Sequence, residues 1–367
     1  MAIVNKDKIS SMKFYTEEKY SALDAKYEAQ KIAFAPFVFQ ASKSLRDLGI
    51  LKIVEEAGTQ GISFQAIVSK LTLPEYGVRV LVEAALGMGI LICKEDLYIL
   101  TRVGYYIQND PMTRINMDFV HEVNYQGFFH LEESIKNGKP EGLKVFGEHW
   151  QTWYQALSSV PSKVKESWLA FDHFYSDDSF GQVLPIVFKE NPKRILDVGG
   201  NTGKWALSCV HHNQEVQVTI ADLPQQIAMA TENINKFTAG NRISYYPLDI
   251  LLEDSVLPTG FDIVWMSQFL DCFSESEIIN ILKKGVNALN DGGKLIIMET
   301  LWDRQKYEAA SFCLQQTSLY FTCIANGNSQ MYRSDIFIKC VEAAGLEIIE
   351  DINNVGISHT VLICRKK

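Results

Sequence analysis

Four carboxylates stand where this chain could do chemistry: Asp197, Asp222, Asp271 and Glu299. Asp197 lies in the short apolar run Arg194–Val198, which breaks into Gly199, Gly200 and Gly203 before a helical pattern starts at Lys204. Glycine suits a turn that a ligand approaches closely or that needs positive φ. The spacing is G-G-x-x-G, whereas the dinucleotide fingerprint G-x-G-x-x-G sets a helix N-terminus against a pyrophosphate. A ligand with an amino group and no phosphate fits the carboxylate of Asp197 better. Asp222 closes the next apolar run, Val216–Ala221, and is followed by Leu223 and Pro224. An acid at that place takes ribose hydroxyls. A nucleoside with a free amino acid and no phosphate is S-adenosylmethionine, and this stretch is read as its site.

Asp271 and Glu299 come later, each at the end of a strand. Phe261–Ser267 reads as a strand that delivers Gln268-Phe-Leu-Asp-Cys272 to the ligand edge, and Lys294–Met298 as one that presents Glu299. Asp271 is either a proton acceptor there or a solvated acid ahead of a helix. Ser274-Glu-Ser-Glu277 has capping-box spacing and starts that helix, which runs to Leu289. Ile243–Pro247 is a further strand leading to Asp249 and Ile250, an acid beside the adenine amine or in a surface turn. Helices Gln225–Phe237 and Ser334–Ala344, and strands Leu346–Ile349 and Ser358–Cys364, complete a doubly wound α/β domain. Such sheets bind ligands beyond the carboxyl ends of their strands.

Upstream, Lys31–Leu51 repeats apolar residues at helical spacing, with Gly49 as its stop. A short helix within Gly61–Leu71, a turn at Pro74, a helix Val78–Met88 and two strands joined at Lys94–Asp96 form a winged-helix pattern. Val78–Met88 holds one positive residue, Arg79, among apolar ones, where a groove-reading helix needs Arg, Lys, Asn or Gln. The module is therefore expected to pack or dimerise, with no nucleic-acid partner. Between the two, residues 112–180 hold aromatic-rich helices that serve either as core or as the wall of an apolar pocket.

Composition agrees. The chain has 367 residues, 47% hydrophobic and 22% charged, with net charge −9. That is long enough for two or three domains at about 100–200 residues each, and the charge does not favour nucleic acid or an anionic membrane. The seven cysteines are scattered, with no C-x-x-C pair, so reduced thiols in a cytoplasmic chain are expected, with no zinc or other metal site. No apolar run approaches the ~18 residues of a membrane span.

The order of motifs resembles the two-domain plant- and bacterial-type O-methyltransferases over roughly residues 30 to 365. The resemblance rests on Asp197-Val-Gly-Gly-Asn-Thr-Gly203, Asp222-Leu-Pro224, Asp249, and Phe171-Asp-His-Phe-Tyr-Ser-Asp-Asp-Ser179. It implies an α/β, Rossmann-like class I methyltransferase domain over 186–367, with a mixed seven-stranded sheet and helices on both faces. It further implies a mainly α winged-helix dimerisation domain over 1–111, a helical substrate-pocket segment over 112–185, a homodimer and a small aromatic or polyketide-like acceptor. Ser179 and Ser267 join the cofactor residues by this resemblance, Ser267 standing where the family has a lysine near the adenine. Tyr175, Phe171, Phe128 and Trp302 join as acceptor-binding residues, and Glu299 as the acid that orients the catalytic group.

Two departures bear on the chemistry. The family's L-H-D-W-S-D segment reads Leu270-Asp-Cys-Phe-Ser-Glu275, so Asp271 replaces the general-base histidine. The second orienting glutamate, in an E-R-T segment, aligns with Tyr332-Arg-Ser334 and is absent. With ordinary pKa values of about 3.9 for Asp and 6.5 for His, the exchange gives up roughly 3.5 kcal/mol of driving force. Burial beside Glu299 would recover part of it. A chain that binds the cofactor with lost or altered chemistry, or a ligand-sensing winged-helix regulator, is the alternative.

Overall fold

The computed structural model describes residues 14–157 and 159–367. The chain forms two compact units, Glu17–His121 and Glu122–Lys367, the second also holding the described residues 14–16.

The first unit opens with α1 (Ala22–Ala33), α2 (Ala35–Asp47) and α3 (Ile50–Glu56). The single helix expected over Lys31–Leu51 is thus broken at Phe34, because Pro36 sits in the first turn of α2 and has no amide to continue α1. Gly49 ends α2 with φ 80°, as expected, and a new helix starts at once. Next come β1 (Ile62–Ser63), α4 (Phe64–Ser69), α5 (Glu75–Gly87) and the hairpin β2 (Leu91–Lys94) and β3 (Leu97–Leu100), in sheet order β1-β3-β2. Glu95 and Asp96 both have positive φ, which a two-residue hairpin turn with the right twist requires. The winged-helix pattern is therefore present, with Leu45, Leu51, Val54, Val78 and Val82 in its core. Arg79 of α5 pairs with Glu75 at 2.6 Å and lies over the Phe64 ring. Helices α6 (Arg102–Asn109) and α7 (Pro111–Phe119) end the unit. On α1 and α2 the side chains of Leu23, Ile32 and Phe37 are each more than 70% exposed.

The second unit starts with α8 (Leu131–Asn137), α9 (Trp153–Ala156), α10 (Ser162–Ser176) and α11 (Phe180–Val187). Its seven-stranded sheet runs β6-β5-β4-β7-β8-β10-β9, built from β4 (Arg194–Val198), β5 (Gln217–Asp222), β6 (Ile243–Pro247), β7 (Phe261–Ser267), β8 (Leu289–Glu299), β9 (Leu346–Val355) and β10 (His359–Lys366). The first five are parallel, and β10 is antiparallel to both β8 and β9. Helices α12 (Lys204–His212), α13 (Pro224–Ile234), α14 (Glu275–Ala288), α15 (Glu308–Tyr320) and α16 (Ser334–Ala343) follow in the chain. One core cluster joins α14 and α16 to the sheet and the other joins α11, α12 and α13 to it, so the apolar parallel strands are covered twice. Strand β9 runs on to Val355, beyond the expected Ile349, because it pairs along β10 as a hairpin. Strand β8 starts at Leu289, ahead of the expected Lys294, and passes through Gly292 at φ 77°. The carboxyl ends of the parallel strands bring Gly199, Asp222, Asp249, Asp271 and Glu299 to one edge of the sheet.

Candidate active site

A cavity of about 550 Å³ opens over that edge. At the β4 end, Gly199 and Gly203 both have φ 77°. A Cβ on Gly199 would sit 2.3 Å from the Phe269 ring, and one on Gly200 would sit 2.7 Å from Asp197 Oδ2. The glycines therefore make room first for the protein's own side chains, and a ligand meets the turn only at Val198, Gly199 and Asn201. Gly203 packs on Ile234 and starts α12.

The reading of Asp197 as a group facing the amino acid of the cofactor is corrected by its position. It lies under Gly200, 2% exposed and outside the cavity lining, with Oδ2 lacking a partner among the described residues. Burial, and then the charge of Asp222, push its pKa to about 8, so it carries a proton at neutral pH.

Asp222 lies on the cavity wall. Its Oδ2 accepts from the Asn201 amide at 2.9 Å and its Oδ1 from the Leu223 amide at 2.7 Å. Burial raises its pKa to about 6 against the pull of those amides. Each oxygen keeps a lone pair for a ligand. Leu223, Asp249 and Ile250 line the same end, and Asp249 Oδ1 holds the Leu251 amide at 3.0 Å. A carboxylate fixed by two amides, beside apolar Leu248 and Ile250 and a second carboxylate, fits the ribose and adenine of S-adenosylmethionine. Ser267 and Ser179 are outside the lining. The chain turns at Gln268 (φ 46°), so Gln268 and Phe269, one and two residues on, face the cavity instead. The Ser179 hydroxyl donates to the Ser176 carbonyl at 2.6 Å, and its backbone packs against Gly356.

At the other end, one face of α10 lines the cavity with Trp168, Phe171, Asp172 and Tyr175, at helical spacing i, i+3, i+4, i+7. Opposite them α15 presents Thr317 and Tyr320, and Trp168 Nε1 donates to the Tyr320 hydroxyl at 2.9 Å. Tyr175 and Phe171 are thus at the cavity, while Phe128 and Trp302 are not. Phe128 sits half-buried in the turn Gly127–His130. Trp302 meets the Tyr15 ring edge-on, and its carbonyl accepts from Ser311 at 2.8 Å.

Asp271 occupies the turn after β7, lines the cavity and is 5% exposed. Burial pushes its pKa up to about 7; the Asp172 charge adds to this, and the Cys272 thiol at 3.5 Å opposes it. Glu299 lies outside the lining and is 2% exposed. Its Oε1 accepts from the amides of Phe269 at 2.9 Å and Leu270 at 2.8 Å, so it holds the backbone just ahead of Asp271 and leaves the carboxylate of Asp271 to the cavity. Burial first, and Asp271 second, raise its pKa well above the carboxylate range. The turn is tied elsewhere too: the Asn326 side chain donates to the Cys272 carbonyl, and the Tyr332 hydroxyl to the Phe273 carbonyl at 2.6 Å. Tyr332 thus keeps a hold on the same turn. The Tyr154 hydroxyl donates to Cys272 Sγ at 2.8 Å. Asp172 and Cys272 escaped the sequence reading, although the spacing of Trp168, Phe171 and Tyr175 already marked the face that bears Asp172.

Comparison with known proteins follows the same division. The Dimerisation2-like domain matches residues 26–98, and the O-methyltransferase domain matches residues 128–346. The L-tyrosine C(3)-methyltransferase of Streptomyces lavendulae is 21% identical over 341 residues, covering 91% of each chain. The structure of the mitomycin 7-O-methyltransferase MmcR superposes with a TM-score of 0.72 at 16% identity, over 94% of this chain and 98% of that one. Human N-acetylserotonin methyltransferase in complex with S-adenosylmethionine gives 0.66 at 16% identity, over 96% and 99%.

Proposed function

We infer the reaction from one premise: the chain belongs to the family defined by the O-methyltransferase domain and is an S-adenosylmethionine-dependent methyltransferase. The acceptor we propose is a hydroxyl on a small aromatic molecule, held between the α10 face and α15, with Asp271 as the base. The observation that carries this is Asp271 itself, buried on the cavity wall with a pKa of about 7. A phenol loses its proton at about 10, so an ordinary Asp near 3.9 faces a gap of roughly six pKa units. Asp271 faces about three, like a free histidine, so its burial makes up for the residue exchange.

S-adenosylmethionine supplies, when bound, a methyl group on a sulfonium. Asp222 would accept hydrogen bonds from its ribose diol, and Asp249 from its adenine amine. Asp271 takes the proton from the acceptor oxygen as that oxygen gains its methyl group. Glu299 fixes the turn from which Asp271 projects, and Phe171, Tyr175 and Tyr320 orient the ring and exclude water. The named relatives support an aromatic acceptor, since L-tyrosine and N-acetylserotonin both contain aromatic rings. Transfer of label from methyl-labelled S-adenosylmethionine to a panel of hydroxyaromatics tests the reading. Label on an acceptor oxygen supports it, and no transfer to any member refutes it.

The chain is also proposed to work as a homodimer. The exposed apolar side chains of α1 and α2 are the surface for it, and Ile32 and Phe37 among them lie within the Dimerisation2-like match. Among the described residues no helix is long and apolar enough to cross a membrane. The cysteines are free thiols, and a reducing cytoplasm is the proposed location.

A further inference from the structure

We propose that the acceptor carries a positively charged amine, seated against Asp172 between the aromatic rings of α10, and that anionic aromatics are excluded. This rests on the methyl-donor reading of the same cavity and adds the class of acceptor.

The charge of the cavity wall is one-sided. Asp172, Asp222, Asp249, Asp271 and Glu277 line it, and among the described residues no Lys, Arg or His does. Asp222 and Asp249 belong to the nucleoside end, which leaves Asp271, Glu277 and Asp172, the last bonded to the Asn201 side chain of the turn after β4. Outside the lining, Lys204 Nζ lies 2.6 Å from Asp177 Oδ2, and the His173 ring Nδ1 lies 3.5 Å from Asp177 Oδ1. Among the described residues neither Asp172 nor Asp271 has an ion pair. Asp172 Oδ2 holds the Asn201 side-chain amide at 2.9 Å, and Asp271, nine-tenths buried, meets the Cys272 thiol at 3.5 Å. Asp172 is raised from its ordinary value by burial, against the pull of His173 and with a push from the charge of Asp177. An ammonium in the chamber would give Asp172 the opposite charge it lacks.

The surroundings of Asp172 suit such a group. Trp168 lies one helical turn before it, and Phe171 and Tyr175 flank it on the same face. Aromatic faces around a carboxylate attract an alkylammonium through the ring quadrupole while the acid takes its hydrogen bonds. A carboxylate on the acceptor would meet Asp172, Asp271 and Glu277 and no basic side chain. An amine without a carboxyl group therefore fits better than the zwitterion of an amino acid.

Four phenols with the same ring and different arms test this by calorimetry on the protein saturated with S-adenosylhomocysteine: tyramine, the neutral tyrosol, the anionic phloretate and zwitterionic L-tyrosine. Tyramine should bind at least tenfold tighter than tyrosol, with phloretate the weakest. Asp172→Asn should erase the advantage of tyramine over tyrosol while leaving the affinities for tyrosol and for S-adenosylhomocysteine within a few-fold. The inference is overturned if tyrosol or phloretate binds as well as tyramine, or if none of the four binds. It is overturned too if Asp172→Asn weakens S-adenosylhomocysteine and leaves the ratio intact, for then Asp172 serves the cofactor's amine. Failure to bind S-adenosylhomocysteine at all would instead strike the methyl-donor reading of the cavity.

Discussion

Replacing Glu299 by Gln and by Ala separates its hydrogen bonds from its charge. Glu299 Oε1 accepts from the amides of Phe269 and Leu270, inside a site that leaves the residue 2% exposed. Burial pushes its pKa well above the carboxylate range, and the charge of Asp271 adds to this. A glutamine oxygen can take the same two amides. Glu299→Gln should therefore lie within about 1 kcal/mol of the parent in denaturant unfolding and keep kcat within a few-fold. Glu299→Ala leaves two buried amides without an acceptor, at about 1–3 kcal/mol each, so a loss of roughly 2–6 kcal/mol is expected. The turn carrying Asp271 then loosens, and kcat falls further than affinity for the cofactor does. Urea melts and steady-state rates on the three proteins decide it. If Gln is as damaging as Ala, the carboxylate itself and not its two hydrogen bonds is what the site needs.

Three further outcomes are expected. Asp222→Ala removes the ribose acceptor and should weaken S-adenosylhomocysteine by tens- to hundreds-fold, about 2–4 kcal/mol, in calorimetry; unchanged affinity would remove Asp222 from the site. His359 is fully buried and its pKa is pressed down to about 4 by desolvation, below the 6.5 of an unfolded chain. Its neutral form is thus stable above pH 6.5, and stability is lost as pH falls from 6.5 towards 4, by about 3 kcal/mol relative to His359→Leu, at roughly 1.4 kcal/mol per pKa unit. Parallel pH profiles for the two proteins would contradict this. Light scattering should give about twice the 41.5 kDa chain mass, and a monomer at micromolar concentration rules out the dimer.

The cofactor half of the site was readable because local rules determine it. A parallel strand buried on both faces is a continuous apolar run, and glycine marks the turn that follows, so β6 and β7 fall at the expected residues. Asp222 ends β5 and Asp249 follows β6 by two residues, and both line the cavity. The acceptor half depends on which faces of α10 and α15 meet, and periodicity alone does not say whether an aromatic face meets core or cavity. Phe128 and Trp302 were therefore assigned to a wall they do not form, and Asp172 was passed over among its aromatic neighbours. Ser267 failed by a related route: the left-handed turn at Gln268 passes the cavity to the next residues. Asp197 shows the limit of the motif itself, since a carboxylate next to a glycine turn can point beneath it as well as above.

The most direct test of the account is the pH profile of kcat/KM for Asp271 and Asp271→Asn, on whichever phenol the labelled-donor panel selects. Because kcat/KM reports the free enzyme, the parent should rise with pH through a one-proton limb near 7 and then level off, as a base with that pKa must. Asp271→Asn should lose the limb and fall by roughly 10²–10⁴, with affinity for S-adenosylhomocysteine unchanged. If Asp271→Asn keeps its turnover and the limb, Asp271 is not the group that takes the proton.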